Sequence, residues 1–351
     1  MLPWLSAAAD PGRVHTEGRI ARAVVEDARD QVATLLGARS REVVFTSGAT
    51  EAIATAVWGA GERGPHMVMP AVEHSAVGGA AARYDVTVVG VDRLGRVDPD
   101  EVVAAIRPGE TALVHLQWAN HEVGTLQPVA EVVAACRARG VLVHVDAAAA
   151  AGHVAIDFVA LDADLMSVSA HKLGGPQGIG AVLVRRGLRL RPLLVGGEQE
   201  RARRAGMENV PAIVGFGAAA GALSAPGALA REAARNYSQT EAVLAAATAV
   251  PGVEAFGDTV SRLPHLVCFG VEGVEAEPVL LGLDQAGVAA HSGSSCSSES
   301  LEPSPVLEAM GVAAERSLRV SVGWSTTDDD IDAFARVFPS VVDRLRSLRT
   351  R

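Results

Sequence analysis

The chain has 351 residues, of which 49% are apolar and only 4% aromatic. That is enough to bury a sizeable core in two lobes, packed with alanine and glycine rather than rings. The formal net charge is −10, and no lysine/arginine cluster of useful length interrupts the sequence, which excludes a nucleic-acid footprint and a polybasic membrane patch.

Three cysteines, at 136, 268 and 296, include no CxxC pair. An odd, sparse set is no disulfide framework and points to a reducing cytoplasm. Met1-Leu2-Pro3-Trp4 lacks the basic and apolar regions of a signal peptide. The longest apolar stretch, Ile213 to Ala225, is too short to span a bilayer. A soluble protein is expected.

In chain order, Glu42–Phe45 reads as a short buried strand and Glu51–Trp58 as the helix after it. His66–Met69 and Val86–Val91 are strands, Val102–Ile106 a helix and Ala112–Leu116 a strand. Val129–Arg139 is a helix, and Val141–Val145 and Asp164–Val168 are strands. Short β-branched runs alternating with helices predict an α/β fold, a mainly parallel sheet covered by helices on both faces. Gly196–Gly206 reads as a loop. Ala228–Ala249 is helical and leads to a strand at Leu266–Val271. The predicted division is a large domain over 16–225 and a smaller α+β domain from 1–15 and 226–351.

Ligands of such sheets bind at the carboxyl ends of strands, and four segments fall there or on loops. Thr46-Ser47-Gly48-Ala49-Thr50-Glu51 joins strand to helix and suits either a phosphate cradle or an ordinary N-cap made by Ser47 or Thr50. Asp146 ends an apolar strand, where an unsolvated acid needs a cationic partner. A protonated pyridine nitrogen, a helix end or a metal would each serve. Lys172 follows the Asp164–Val168 strand, ahead of two glycines and a proline. It is either a surface lysine or a partly desolvated amine able to form an imine. Cys296 sits among serines and glycines in His291–Ser298, as a mobile exposed thiol or a plain loop residue. His74 is able to stack on a flat cofactor or move a proton, and Arg319, in an alternating run, to pair with a carboxylate. The histidines and cysteines lack the spacing of a zinc site, so no metal is expected.

These pieces together resemble the cysteine desulfurases, in the class V branch of fold-type I pyridoxal-phosphate (PLP) enzymes. The matching segments are FTSGATEA (45–52), EHSAV (73–77), HVDAA (144–148), SVSAHKLGGPQGIGAVLVRR (167–186), GGEQERARRAG (196–206), HSGSSCSSESLEPSPVL (291–307) and SLRVSVGWSTTDDDID (317–332). The cysteine segment is similar to the long-loop group that serves iron–sulfur assembly.

The resemblance implies a large PLP-binding domain in which Lys172 holds the cofactor as a Schiff base and Asp146 pairs with the pyridine nitrogen. It implies that Ala49, Thr50, Ser169 and His171 hold the phosphate and that His74 stacks on the ring and shuttles protons. Arg319 and Asn120 bind the substrate, L-cysteine, and Cys296 attacks its sulfur. The products are L-alanine and a persulfide that passes to a sulfur-acceptor or iron–sulfur scaffold protein. A cytoplasmic homodimer is expected, with no nucleic-acid or membrane partner.

Four departures from the family pattern follow. Met1-Leu2-Pro3 matches the helix after the family's N-terminal strand, which carries an Ala-Thr-Thr-like segment near the active site. His121 stands for an asparagine, Ala149 for a glutamine beside the ring hydroxyl, and Met207 for a threonine lent to the neighbouring subunit. Each lost hydrogen bond to a charged group predicts a loss of roughly 1.5–3 kcal/mol in cofactor affinity or rate. Two other readings stand beside the desulfurase: a related PLP enzyme such as a selenocysteine lyase or aminotransferase, and a weakly catalytic scaffold. A transaminase has no need of the Cys296 thiol, and a scaffold has none of the whole set.

Overall fold

The computed structural model describes residues 1–7, 10–292 and 303–349. The chain divides into two compact units. Residues 1–89, 99–118 and 128–229 form the first, and 90–98, 119–127 and 230–351 the second.

The first unit is built on seven strands: β1 (Val43–Thr46), β2 (His66–Pro70), β3 (Asp85–Val89), β4 (Thr111–Gln117), β5 (Leu142–Asp146), β6 (Leu165–Ser169) and β7 (Gly180–Val184). Their order across the sheet is β1-β7-β6-β5-β4-β2-β3. Strands β3 to β6 pair in parallel, as the alternating pattern predicts. Strand β7 runs antiparallel between β6 and β1 and is the strand that the sequence reading does not contain. The connection from β6 to β7 spans ten residues, too few for a parallel crossover, so the chain turns straight back.

Every residue of β4, β5, β6 and β7 is buried, which explains their almost uninterrupted apolar runs. On one face, Ile53, Ala56 and Val57 of helix Ala49–Ala60 cover Val44, Leu113, Leu142, Leu165 and Val182. Each such aliphatic side chain contributes about 1.5–3 kcal/mol on burial. On the other face, Phe216 of helix Val210–Ser224 meets Phe45 edge-on at 6.3 Å. That helix packs tightly on helix Thr16–Leu35. A Cβ at Gly217 would lie 2.6 Å from the Ala28 Cα, so only glycine allows the approach.

The second unit carries a four-stranded antiparallel sheet in which His291–Ser292, Ser317–Ser321, Leu266–Val271 and Val253–Phe256 lie side by side in that order. Its strands are β8 (Val253–Phe256), β9 (Leu266–Val271), β10 (His291–Ser292) and β11 (Ser317–Ser321). Helices Ala228–Thr248, Ala276–Gln285 and Asp328–Arg349 bury Val243, Leu283, Phe334 and Phe338 against Phe269 and Leu318.

The division differs from the expected one in two ways. Helix Leu2–Leu5 belongs to the first unit, where the Met1 sulfur lies 3.1 Å from the place a Cβ would take on Gly215. Segments 90–98 and 119–127 belong to the second unit because their polar groups are satisfied there. Thr125 Oγ1 donates to the Leu94 carbonyl at 2.5 Å, Gln127 Nε2 to that of Gly95 at 2.7 Å, and the Asp258 N–H to Thr125 Oγ1 at 2.9 Å. Such long-range pairings leave no periodic trace in the sequence. Among the described residues no single helix is long and apolar enough to cross a membrane.

Candidate active site

In the first unit the carboxyl ends of β1, β2, β5 and β6 carry the residues that the sequence singled out. Thr46, Gly180 and Ser169 stand in register across β1, β7 and β6. Gly180 is what lets the β1 turn close down. A Cβ there would lie 2.8 Å from Gly48 Cα and 2.5 Å from the Val168 carbonyl. Over that glycine, Ser169 Oγ lies 3.9 Å from the place a Cβ would take on Gly48.

The turn itself is not side-chain capped. Gly48 is the N-cap of helix Ala49–Ala60, so neither Ser47 nor Thr50 blocks the helix end. Thr46 Oγ1 donates to the Gly48 carbonyl at 2.9 Å, and the Ser47 N–H donates to Glu51 Oε2 at 2.7 Å. Arg204 grips Glu51 with two bonds of 2.8 and 3.2 Å. Burial works against the Glu51 carboxylate, but Arg204 and Ser47 outweigh it and hold its pKa below the ordinary value. The early amide groups and positive end of this helix make a place for an anion. Next to it, Ser169 Oγ and His171 Nδ1 are 2.9 Å apart. Burial first, then the Lys172 charge, lowers the His171 pKa.

Asp146 is buried at the end of β5. Its Oδ1 accepts from Ser167 Oγ at 2.7 Å and from the Ala148 N–H at 3.0 Å. Ser167 is its partner in register on β6, two residues before Ser169. Asp146 and Ser169 are thus one strand spacing of about 4.8 Å and two residues of about 3.3 Å each apart. Two positions before Asp146, on the same face, His144 meets His115 of β4 through Nδ1 atoms 3.1 Å apart.

Lys172 lies three residues beyond Ser169, on the 3-10 turn Ala170–Leu173. It is exposed, the first of the two settings that the sequence leaves open for it. Ala170 and Leu173 are the residues of that turn that pack inward. Its main chain is anchored: the buried His153 ring donates from Nε2 to the Lys172 carbonyl at 2.8 Å.

His74 caps helix Ser75–Ala81, its Nδ1 accepting from the Ala76 N–H at 3.0 Å. The neutral ring therefore carries its proton on Nε2. The stretch before it is pinned to the end of β4, because the Gln117 N–H donates to Glu73 Oε1 at 2.6 Å and Gln117 Nε2 to the Val72 carbonyl at 2.9 Å. Gln117 in turn pairs in register with Asp146.

The second unit holds the remaining candidates. Arg319 on β11 donates from Nη1 to the His121 carbonyl at 3.0 Å. Asn120 is buried, and its Oδ1 accepts the N–H groups of Glu122 at 2.8 Å and Val123 at 2.9 Å. That oxygen is committed to shaping the turn. Cys296 lies outside the described residues. Cys136 and Cys268 are both buried, and burial pushes each thiol up to about 12, which makes them inert at neutral pH.

The chain matches the class V aminotransferase family over residues 5–334. It is 41% identical to a cysteine desulfurase of Nostoc sp., over 97% of this chain and 87% of that one. A cysteine desulfurase of Archaeoglobus fulgidus is 37% identical, over 99% and 94%. The chain belongs to the cysteine desulfurase family. Among solved structures, a NifS-like protein superposes with a TM-score of 0.89 at 28% identity, covering 97% of this chain and 93% of that one. The NifS-like protein of Rickettsia africae gives 0.87 at 28% identity, with 97% and 94% covered. The cofactor of this family is pyridoxal phosphate, and the residues fit it. An anion-accepting turn lies beside a buried carboxylate, with a primary amine just past the strand between them.

Several supporting residues escape a reading of the sequence: Ser167, Glu73, Gln117, His153 and the Glu51–Arg204 pair. The strand period offers a signal for Ser167, which shares a face with Ser169. The others act across separations of up to 153 residues and carry none.

Proposed function

We propose that this cysteine desulfurase converts L-cysteine to L-alanine and leaves the sulfur as a persulfide on Cys296. The observation that carries the reading is the register of Asp146 with Ser167, two residues from Ser169, which brings carboxylate, anion turn and Lys172 to one edge of the sheet. Bound there, pyridoxal phosphate supplies an electron-withdrawing ring that eases loss of the substrate Cα proton. Asp146, whose Oδ1 accepts from Ser167 Oγ and the Ala148 N–H, is the partner of the ring nitrogen. Backbone amides of Ala49 and Thr50, with Ser169 and His171, hold the phosphate. Lys172 binds the cofactor and carries a proton at Nζ. His74 stacks on the ring and moves a proton at Nε2.

Arg319 takes the carboxylate of L-cysteine, and Asn120 serves it by shaping the turn whose His121 carbonyl holds the guanidinium. The Cys296 thiolate attacks the substrate sulfur. An S–S bond forms, the C–S bond breaks, and the substrate carbon takes up a proton to become L-alanine. Burial of Cys136 and Cys268 supports Cys296 as the acceptor. The persulfide then passes to an acceptor such as an iron–sulfur scaffold protein, from a cytoplasmic homodimer.

The test is turnover of L-cysteine by cofactor-loaded protein with a dithiol reductant. Alanine and sulfide in equal amounts support the reading. No turnover, or a keto acid without alanine, overturns it.

A further inference from the structure

The sequence lacks an extended basic run, yet the fold gathers six arginines around one cavity of about 680 Å³ in the first unit. Arg39 and Arg41 precede β1, Arg185 and Arg186 follow β7, and Arg201 and Arg203 come from the turn after Glu200. Arg39 reaches Glu42, Arg185 reaches Asp164 and Arg201 reaches Glu26. Among the described residues no carboxylate forms an ion pair with Arg41 or Arg186, and Arg203 donates from Nη2 to the Arg41 carbonyl at 2.8 Å. Like charges held this close raise each other's energy. Burial first, then the charge of Arg201 and more weakly that of Arg29, lower the pKa of Arg203, with the Glu200 carboxylate acting against them.

The turn that presents two of these arginines is strained. Glu200, Arg201 and Ala202 have φ of +49°, +60° and +59°, a left-handed conformation that costs roughly 1–2 kcal/mol per residue. It is held by the buried Glu200, whose carboxylate takes two bonds from Arg29, at 2.7 and 2.8 Å, and one from the Phe45 N–H at 2.9 Å. Strain that concentrates like charge on a concave wall marks a site more than a fold requirement.

We propose that this cavity binds a small molecule bearing two or three linked phosphoryl groups. Its volume suits a small ligand, and guanidinium forks match phosphate oxygens. Arg41 and Arg186 without acidic partners, beside four further guanidinium groups, suit more charge than one orthophosphate brings. Val184 and Leu188 add an apolar wall. The site is separate from the cofactor's phosphate turn. Leu183 pairs with Val43 and Val184 with Leu165, at the starts of β1 and β6, roughly 10–13 Å along the strands from Thr46 and Ser169.

The test is calorimetric titration of the full, cofactor-loaded protein with pyrophosphate, ADP, ATP, AMP and orthophosphate. Pyrophosphate, ADP and ATP are expected to bind, with AMP and orthophosphate at least about tenfold weaker. Pyrophosphate binding as well as ADP assigns recognition to the phosphoryl chain, and tighter ADP adds the nucleoside. Arg41→Gln and Arg186→Gln, made separately so that one folding failure is not decisive, should each weaken binding by roughly tenfold. L-Cysteine turnover without ligand should stay unchanged, so this result is independent of the desulfurase reading. The proposal falls if pyrophosphate and nucleotides do not bind, or if both folded variants bind like the parent. A preference for polyglutamate or an oligonucleotide over pyrophosphate also overturns it.

Discussion

The His153 ring donates from Nε2 to the Lys172 carbonyl across 2.8 Å, joining the loop after β5 to the turn that carries the amine. His153 is buried, so this bond holds the backbone from which Lys172 projects. His153→Ala is expected to lower stability by about 1–3 kcal/mol. It should also reduce kcat more than KM, because Lys172 loses its fixed position while Arg319 is untouched. His153→Gln, which keeps a donor, should restore part of kcat. Denaturant titration and steady-state kinetics on both variants check this, and equal kcat in parent and His153→Ala would refute the positioning role.

The pair His115 and His144 predicts acid lability. Burial pushes His115 down to about 3, and burial with the neighbouring ring takes His144 well below 6.5. Both rings are thus neutral when folded, whereas the unfolded chain takes up protons from about pH 6.5 downward. Stability is full above that pH. It falls as pH drops, by about 1.4 kcal/mol per unit for each ring. Unfolding free energies measured at pH 7, 6 and 5 should show the slope, and His115→Gln should remove about half of the pair's share.

Lys172→Ala is expected to abolish the visible absorbance of cofactor-loaded protein, and with it turnover. Cys296→Ala should keep the absorbance and lose sulfide release by at least about 100-fold, the scale on which losing a nucleophile acts. Absorbance spectra and sulfide assays on the two proteins separate holding the cofactor from accepting sulfur. Unchanged sulfide release by Cys296→Ala would refute the persulfide role.

The turn at Glu200–Ala202 predicts two opposite effects. Ala202→Gly relieves a left-handed alanine and should stabilise by up to about 1 kcal/mol. Glu200→Ala leaves Arg29 buried without its carboxylate and should destabilise by about 3–5 kcal/mol. Urea unfolding of both variants reads the signs.

Much of the first unit was legible because apolar strands buried on both faces declare themselves in composition. The runs Glu42–Phe45, Val141–Val145 and Asp164–Val168 announced both the sheet and the edge where chemistry sits. β7 was not legible, since Gly180–Val184 directly follows the lysine segment and nothing local says that the chain reverses there. The exposure of Lys172 was equally hidden, because it depends on which residues of a single turn face inward.

From residue types and their order alone came the family, the cofactor and the candidate amine, carboxylate and thiol, because covalent chemistry demands particular functional groups. Tertiary structure alone decided the partners of those groups. Glu51 meets Arg204, Arg29 meets Glu200, and six scattered arginines line one cavity in a chain of net negative charge. Charge interactions act over a few ångströms of space, and only the folded path of the backbone turns sequence separation into distance.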